Sequence, residues 1–239
     1  MTSTHRPLTY GQSLIALCFV VTVLCPQTLV AQVNIEPFSL GENMYGWNAR
    51  MGADFKMESN DTVLLEIDLS PRVDYAWENN ALSTIGNLVF SERSGTTFRS
   101  QALLHTRYLH QIDSTRSLEV FSRVARDEFA LLNRRVSSGV GIRLKVSADN
   151  ESVTFAGLSL GYEGERWDVE PGDRHPESLD DPRSFGYVAY RVQITETTTL
   201  INMLRTSLRL AGDFDDGRIT NTATLQVEIS ERVSLNATF

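Results

Sequence analysis

Cysteine and lysine are almost missing from this chain. The two cysteines, Cys18 and Cys25, both lie near the N-terminus, inside a segment that reads as removable. The body of the protein therefore has no disulfide framework, no thiolate nucleophile and no cysteine metal site. Lys56 and Lys145 are the only lysines among 22 basic residues. Arginine takes their place, and its planar, permanently charged fork suits an enclosed polar space where one cation serves several carboxylates. Histidine is scarce too, at four, and none stands in a His-Ser or Asp-His pattern of a lipase or protease. After the N-terminal segment no apolar run approaches the roughly 20 residues of a membrane helix. The net charge of -8 argues against nucleic acid as a partner.

The N-terminus has the form of an export signal. His5 and Arg6 provide a weakly positive start, Leu14 to Leu24 an apolar core, and Leu29-Val30-Ala31 a small-residue cleavage site before Gln32. A retained anchor is the alternative, but the apolar run is short for it. Lipidation at Cys25 is disfavoured by bulky Leu24 in front of it. The expected organisation is a signal peptide over 1–31, a lead-in over 32–44 and one domain over 45–239. Arg6 is the only Lys or Arg in the signal, so its removal takes the net charge from -8 to -9.

From Trp47 onward, apolar and polar residues alternate with period two. Trp47, Ala49, Met51, Ala53, Phe55 and Met57 are interleaved with Asn48, Arg50, Gly52, Asp54, Lys56 and Glu58, a strand with one oily and one charged face. The pattern recurs and predicts strands at about 45–58, 62–78, 81–92, 96–110, 116–126, 131–147, 152–166, 184–195, 199–212, 217–229 and 232–239. Turn residues join them, among them Ser59-Asn60-Asp61, Glu78-Asn79-Asn80, Asp113-Ser114 and Asp149-Asn150. The fold class is all-β: an antiparallel up-and-down transmembrane β-barrel of about 10–12 strands.

Parity sorts the faces. In the sixth strand Leu132, Val136, Val140, Ile142, Leu144 and Val146 share the lipid side, and Arg135, Ser137, Gly139, Gly141, Arg143 and Lys145 the lumen. A lipid-facing charge at mid-membrane costs about 2–4 kcal/mol, and the apolar parity is nearly free of charge. Ile85, Val89 and Phe155 break the rule by falling on the inner side. A soluble barrel shows the same alternation with its apolar face inward. Trp47, Trp77, Phe98, Tyr108 and Tyr162 near strand ends favour interfacial girdles and a membrane.

The connector from Glu165 to Ser184, with its seven acids and Pro171, Pro176 and Pro182, reads as a long outer loop. Starting the first strand from the periplasm delivers this loop to the outside. Eleven strands would then leave Phe239 outside, although single-chain bacterial barrels close with even numbers and Val233, Leu235, Ala237 and Phe239 look like a C-terminal sorting signal.

The stretch Phe121-Ser122-Arg123-Val124-Ala125-Arg126-Asp127-Glu128-Phe129, with Leu132-Asn133-Arg134-Arg135, Ser138-Gly139-Val140-Gly141-Ile142-Arg143-Leu144 and Gly157-Leu158-Ser159-Leu160-Gly161-Tyr162-Glu163, resembles a bacterial domain-of-unknown-function family that includes the salt-induced outer-membrane protein YdiY. The resemblance is strongest over 118–165. It implies an outer-membrane barrel of a Gram-negative-type envelope and carries over no activity, cofactor or functional residue.

The candidate lumen residues are Arg123, Arg135, Arg143, Arg205 and Arg209 with Glu66, Asp68 and Glu119. Asp54, Glu58, Asp74 and Glu228 are further inward acids. Gly139 and Gly141 are expected to make room for long arginines. Such a ladder either fills a narrow lumen as ion pairs or lines a small aqueous path. No catalytic, cofactor or metal residues emerge: His105 reads as a lumen histidine, His175 as part of a solvated acidic loop, and Asp213 to Gly217 as a hairpin turn. Two functional readings stay open. One is a small channel or salt-related permeability element; the other is a closed structural or surface-binding barrel acting through the acidic loop 165–184. An enzyme is not expected. The expected partners are outer-membrane lipid, the barrel assembly machinery and small solutes or ions.

Overall fold

The computed structural model describes residues 45–59, 63–93, 96–149, 151–170, 176–211, 216–230 and 233–238. The chain divides into Met1–Gln32, outside the described residues, and Val33–Phe239, which carries all of the structure below. The leader and its cysteines, the lead-in, Asn60-Asp61, His175, Asp213 to Asp215 and Phe239 lie outside the described residues, as does the side chain of Phe98.

Eleven strands form among the described residues: β1 (Gly46–Ser59), β2 (Val63–Trp77), β3 (Asn80–Arg93), β4 (Thr96–Gln111), β5 (Arg116–Asp127), β6 (Leu132–Ala148), β7 (Ser152–Trp167), β8 (Ser178–Thr195), β9 (Thr198–Arg209), β10 (Gly217–Ser230) and β11 (Val233–Thr238). Each pairs with the next in one sheet ordered β1 to β11 without a crossover. The ladders are antiparallel throughout. Among the described residues no ladder joins β11 to β1. Among the described residues no helix is long and apolar enough to cross a membrane, which says nothing of strands.

Short turns are built locally. Asp113 accepts hydrogen bonds from the Thr115 and Arg116 backbone N–H groups, each at 2.8 Å. Asp149 does the same for Glu151 and Ser152, at 2.9 and 2.6 Å. These Asx-type turns satisfy the backbone where the ladder reverses. Glu78 closes the two-residue β2–β3 turn at φ 46°, a conformation that glycine adopts more cheaply. The turns after β2, β4, β6 and β8 define a short-turn end; the connectors after β1, β3, β5, β7 and β9 define the loop end.

The sheet is curled. Tyr187 on β8 donates to Glu119 on β5 at 2.6 Å, and Arg218 on β10 reaches Glu163 on β7 at 2.7 Å. Strands three places apart are about 14 Å apart in a flat sheet. Only strong curvature brings their concave faces into contact.

Parity and exposure agree along most strands. Val140, Ile142, Leu158 and Leu160 are 49–66% exposed, while Glu119, Glu163, Glu165 and Arg183 are 1–4% exposed. Among the described residues the charged face is thus the more enclosed one. Ile85, Val89 and Phe155 join Ala189, Ile201 and Met203 as buried apolar groups on the concave face. A row of outer-face aromatics, Trp47, Tyr75, Trp77 and Tyr108, runs across β1, β2 and β4 at the short-turn end, with successive centroids 4.5, 5.0 and 6.2 Å apart.

Three expectations are corrected. Leu132 is buried, not outward, because the β6 register slips between Leu132 and Arg134, and one extra residue reverses the face of whatever precedes it. β8 begins at Ser178, so the connector shrinks to 168–177; Glu165, Asp180 and Asp181 are strand residues paired with arginines. Gly139 and Gly141 do not clear space for arginines. A Cβ on Gly139 would stand 2.8 Å from the Phe121 ring, and one on Gly141 would strike the Leu158 carbonyl and Ser159 on β7. They serve a ring and a close strand approach instead.

Candidate functional site

The concave face carries three levels of polar side chains. At the loop end, β6, β7, β8, β9 and β10 contribute a connected set of ion pairs. Arg183 is 1% exposed; it lies 3.1 Å from Glu163 and pairs with Asp216. Arg218 reaches both Glu163 and Glu165 at 2.7 Å. Arg135 meets Glu165 at 2.6 Å, and Arg209 meets Asp181 at 2.6 Å. Ser137 and the Trp167 indole add hydrogen bonds to Glu163 and Glu165 at 2.6 and 3.0 Å. Among the described residues, four arginines thus face four acids, Glu163, Glu165, Asp181 and Asp216. Buried ions persist only when paired and hydrogen-bonded in this way.

The middle level is smaller. Glu119, 2% exposed, accepts from Tyr187 at 2.6 Å and lies 3.5 Å from Arg107. Arg107 also lies over the Tyr187 ring, 5.2 Å from its centroid. Phe121 and Phe185 meet edge to face at 5.2 Å, with His105 6.1 Å from Phe121. Gly157 makes this possible, since a Cβ there would strike the Tyr187 ring.

The short-turn end opens into a cavity of about 560 Å³. Ile85, His105, Arg143 and Phe155 line it from within, and Asp113, Lys145, Asp149, Glu151 and Arg191 nearer the turns. Arg143 stacks on Phe155, 3.8 Å from the ring centroid. Asp74 lines it as well, held by Arg72 at 2.6 and 3.0 Å and by Ser83 at 2.5 Å. Backbone N–H groups hold the Asp113 and Asp149 carboxyls below the usual carboxylate range, with the Arg116 guanidinium adding to the effect at Asp113.

The residues singled out from sequence are on the concave face but do not form one ring. Arg135 and Arg209 belong to the loop-end set, Glu119 to the middle, and Arg143 to the cavity. Arg123 and Arg205 occupy inward positions on β5 and β9. Glu66 and Asp68 sit on β2 away from these pairs, Asp68 accepting from Asn87 at 2.8 Å. Sequence reasoning missed Arg183, Arg218, Glu163 and Glu165, the centre of the loop-end set. The odd-number parity that marks Phe155 as inward also marks Glu163 and Glu165, and that signal was available. Among the described residues no group of three or more His, Cys, Asp or Glu side chains is placed to hold a metal ion.

No curated protein matches the chain. The family described as "Protein of unknown function, DUF481" matches residues 49–239. That span takes in all three levels of concave polar residues and every strand but the first residues of β1, so the chain belongs to the DUF481 family.

Proposed function

We propose that this protein is an outer-membrane β-barrel of a Gram-negative-type envelope, closed to bulk ion flow at its loop end and working as a binding barrel. The observation that carries the reading is the inversion of the usual burial pattern. Large apolar side chains cover the exposed face and ion pairs fill the enclosed one, which is stable only where lipid meets the apolar side. The aromatic row at the short-turn end supports an interfacial girdle there. Strand lengths of 12–18 residues in β1 to β10 exceed the 9–11 or so that a tilted strand needs to cross hydrocarbon. Closure of the sheet between its edge strands is part of this reading, since open edges are not tolerated in lipid.

The connected loop-end set argues for closure against conduction. An open pore keeps water between its lining groups, whereas these arginines and carboxylates meet one another at hydrogen-bond distance across the enclosed face. The outer connector is a weaker candidate for the working surface than its composition suggests, because Glu165, Asp180 and Asp181 are engaged by arginines. No catalytic step is part of the reading. The test is single-channel recording of the refolded mature protein in a planar bilayer, with flotation on lipid vesicles. Silent current with full flotation is expected; a soluble protein overturns the membrane reading, and stable steps overturn closure.

The short-turn cavity favours a second reading, a small permeability element whose path starts there. It predicts stable steps altered separately by Arg143→Ala at the cavity and by Arg135→Ala at the loop end.

A further inference from the structure

We propose that the short-turn cavity is a binding site for a small organic anion, a carboxylate or phosphate carried on a compact apolar body. Its volume of about 560 Å³ falls in the range of small-molecule sites. The inference comes from how its charges are already used.

Three of the acids around the cavity are committed to partners within the fold. Asp74 is held by Arg72 and Ser83. Asp113 is held by Thr115 and Arg116, and Asp149 by Ser152 and the Glu151 backbone. Glu151, in the β6–β7 turn, is the remaining lining acid. The cations differ. Lys145 on β6 and Arg191 on β8 both line the cavity, and neither side chain has an ion-pair or hydrogen-bond partner among the described residues. They stand on either side of β7, where Lys145 is opposite Phe155 and Arg191 is opposite Val153.

Arg143, two residues from Lys145 on the same face, lies flat on Phe155 at 3.8 Å. The inner wall of Ile85 and Phe155 is apolar and nearly dry, at 3% and 8% exposure. Two unpaired cations beside an apolar floor fit an anion with an apolar body better than a bare ion or a cation. The turns keep the neighbouring carboxylates from competing, because Asp113 and Asp149 are satisfied by their own backbone.

The site deepens the closed-barrel reading and rests on it only for the statement that the cavity is blind. The test is titration of the purified full-length mature protein in detergent micelles with benzoate, inorganic phosphate and benzylammonium, followed by calorimetry. Saturable benzoate binding with a Kd at or below about 1 mM, weaker phosphate binding and no benzylammonium binding are expected. Lys145→Gln with Arg191→Gln should weaken benzoate at least about tenfold, while Lys145→Arg with Arg191→Lys should restore it. Neither residue holds another side chain, so both pairs of variants should keep the far-ultraviolet spectrum and heat-modifiable gel mobility of the native protein. No benzoate saturation on that scale, equal binding of benzylammonium, or an unchanged affinity in the glutamine variant would overturn the site. Adding benzoate to the bilayer recording separates the two proposals. Silent current without benzoate binding removes the site alone, whereas steps that benzoate blocks remove closure and keep the site.

Discussion

The loop-end ion pairs make the sharpest energetic prediction, and Arg183 with Glu163 is the pair to break. Their charged atoms are 3.1 Å apart, which at an effective dielectric constant of about 20 corresponds to about 5 kcal/mol of attraction. Desolvation opposes most of it, since each ion costs several kcal/mol to enclose. What can be measured is the cost of leaving one partner behind. Arg183→Met strips Glu163 of one cation but leaves it Arg218 at 2.7 Å and Ser137 at 2.6 Å. It leaves Asp216 with Arg209 at 3.6 Å. The expected loss is therefore at the low end of the range for a broken buried pair, about 3 kcal/mol. Glu163→Gln is expected to cost about as much, because Arg183 then keeps Asp216 alone while Arg218 keeps Glu165. The double variant should cost less than the two singles together, with a coupling of about 1–3 kcal/mol. Urea unfolding of protein refolded into lipid vesicles gives all four corners of the cycle. Single variants within about 0.5 kcal/mol of the native protein, or strictly additive effects, would refute a buried network at this end.

Four further predictions follow from other levels of the structure. Ile142→Arg, on the outer face of β6, should cost about 2–4 kcal/mol in vesicles if that face meets lipid; a change under about 0.5 kcal/mol would mean that it meets water. Tyr187→Phe removes the hydrogen bond to Glu119 at 2.6 Å and should cost about 1.5–3 kcal/mol in the same unfolding assay, as loss of a bond to a charged group does. Gly157→Ala drives a methyl group into the Tyr187 ring and should cost about 1–3 kcal/mol, with Gly157→Ala/Tyr187→Phe no milder because the ring itself remains. The Asp113 and Asp149 carboxyls are held below their unfolded pKa, so the stability they add is fully present above the ordinary carboxylate range and lost as the pH falls through the folded value. The stability gap between native protein and Asp113→Asn should thus be constant from pH 7 to about 5 and close in more acid solution; a gap that widens with acid would contradict the turn geometry.

The strand plan was legible because it depends on local patterning. Each of the eleven strands overlaps one that the two-residue alternation predicts, and the face of Val140, Ile142, Leu158 and Leu160 follows from parity alone. The failures have local causes as well. β8 starts at Ser178 instead of 184 because Asp180, Asp181 and Pro182 carry the composition of a loop. Pairing with Arg166 and Arg209 at 2.8 and 2.6 Å draws those acids into the sheet. Parity puts Leu132 on the outer face because it carries no warning of the slipped register at Leu132/Arg134.

Partner choice inside the curl is a different kind of information. Parity says that Arg218 and Glu163 both face inward, but they are 55 residues apart and three strands removed. Whether they meet depends on strand tilt and on the cumulative stagger of every ladder between them. The β6–β7 ladder alone slips twice, at Leu132/Arg134 and Lys145/Ser147, and each slip moves every later residue along the concave face. A chain of alternating residues therefore specifies which side chains share the interior long before it specifies which ones touch. The same limit explains the arginine excess. A cation whose partner is set by accumulated stagger is best served by a wide fork that can accept carboxylates from more than one direction, as Arg183 does with Glu163 and Asp216, and Arg218 with Glu163 and Glu165. The two lysines stand apart from this role: Lys56 pairs along its own strand with Glu58 at 2.9 Å, and Lys145 faces the cavity at the opposite end from the arginine network.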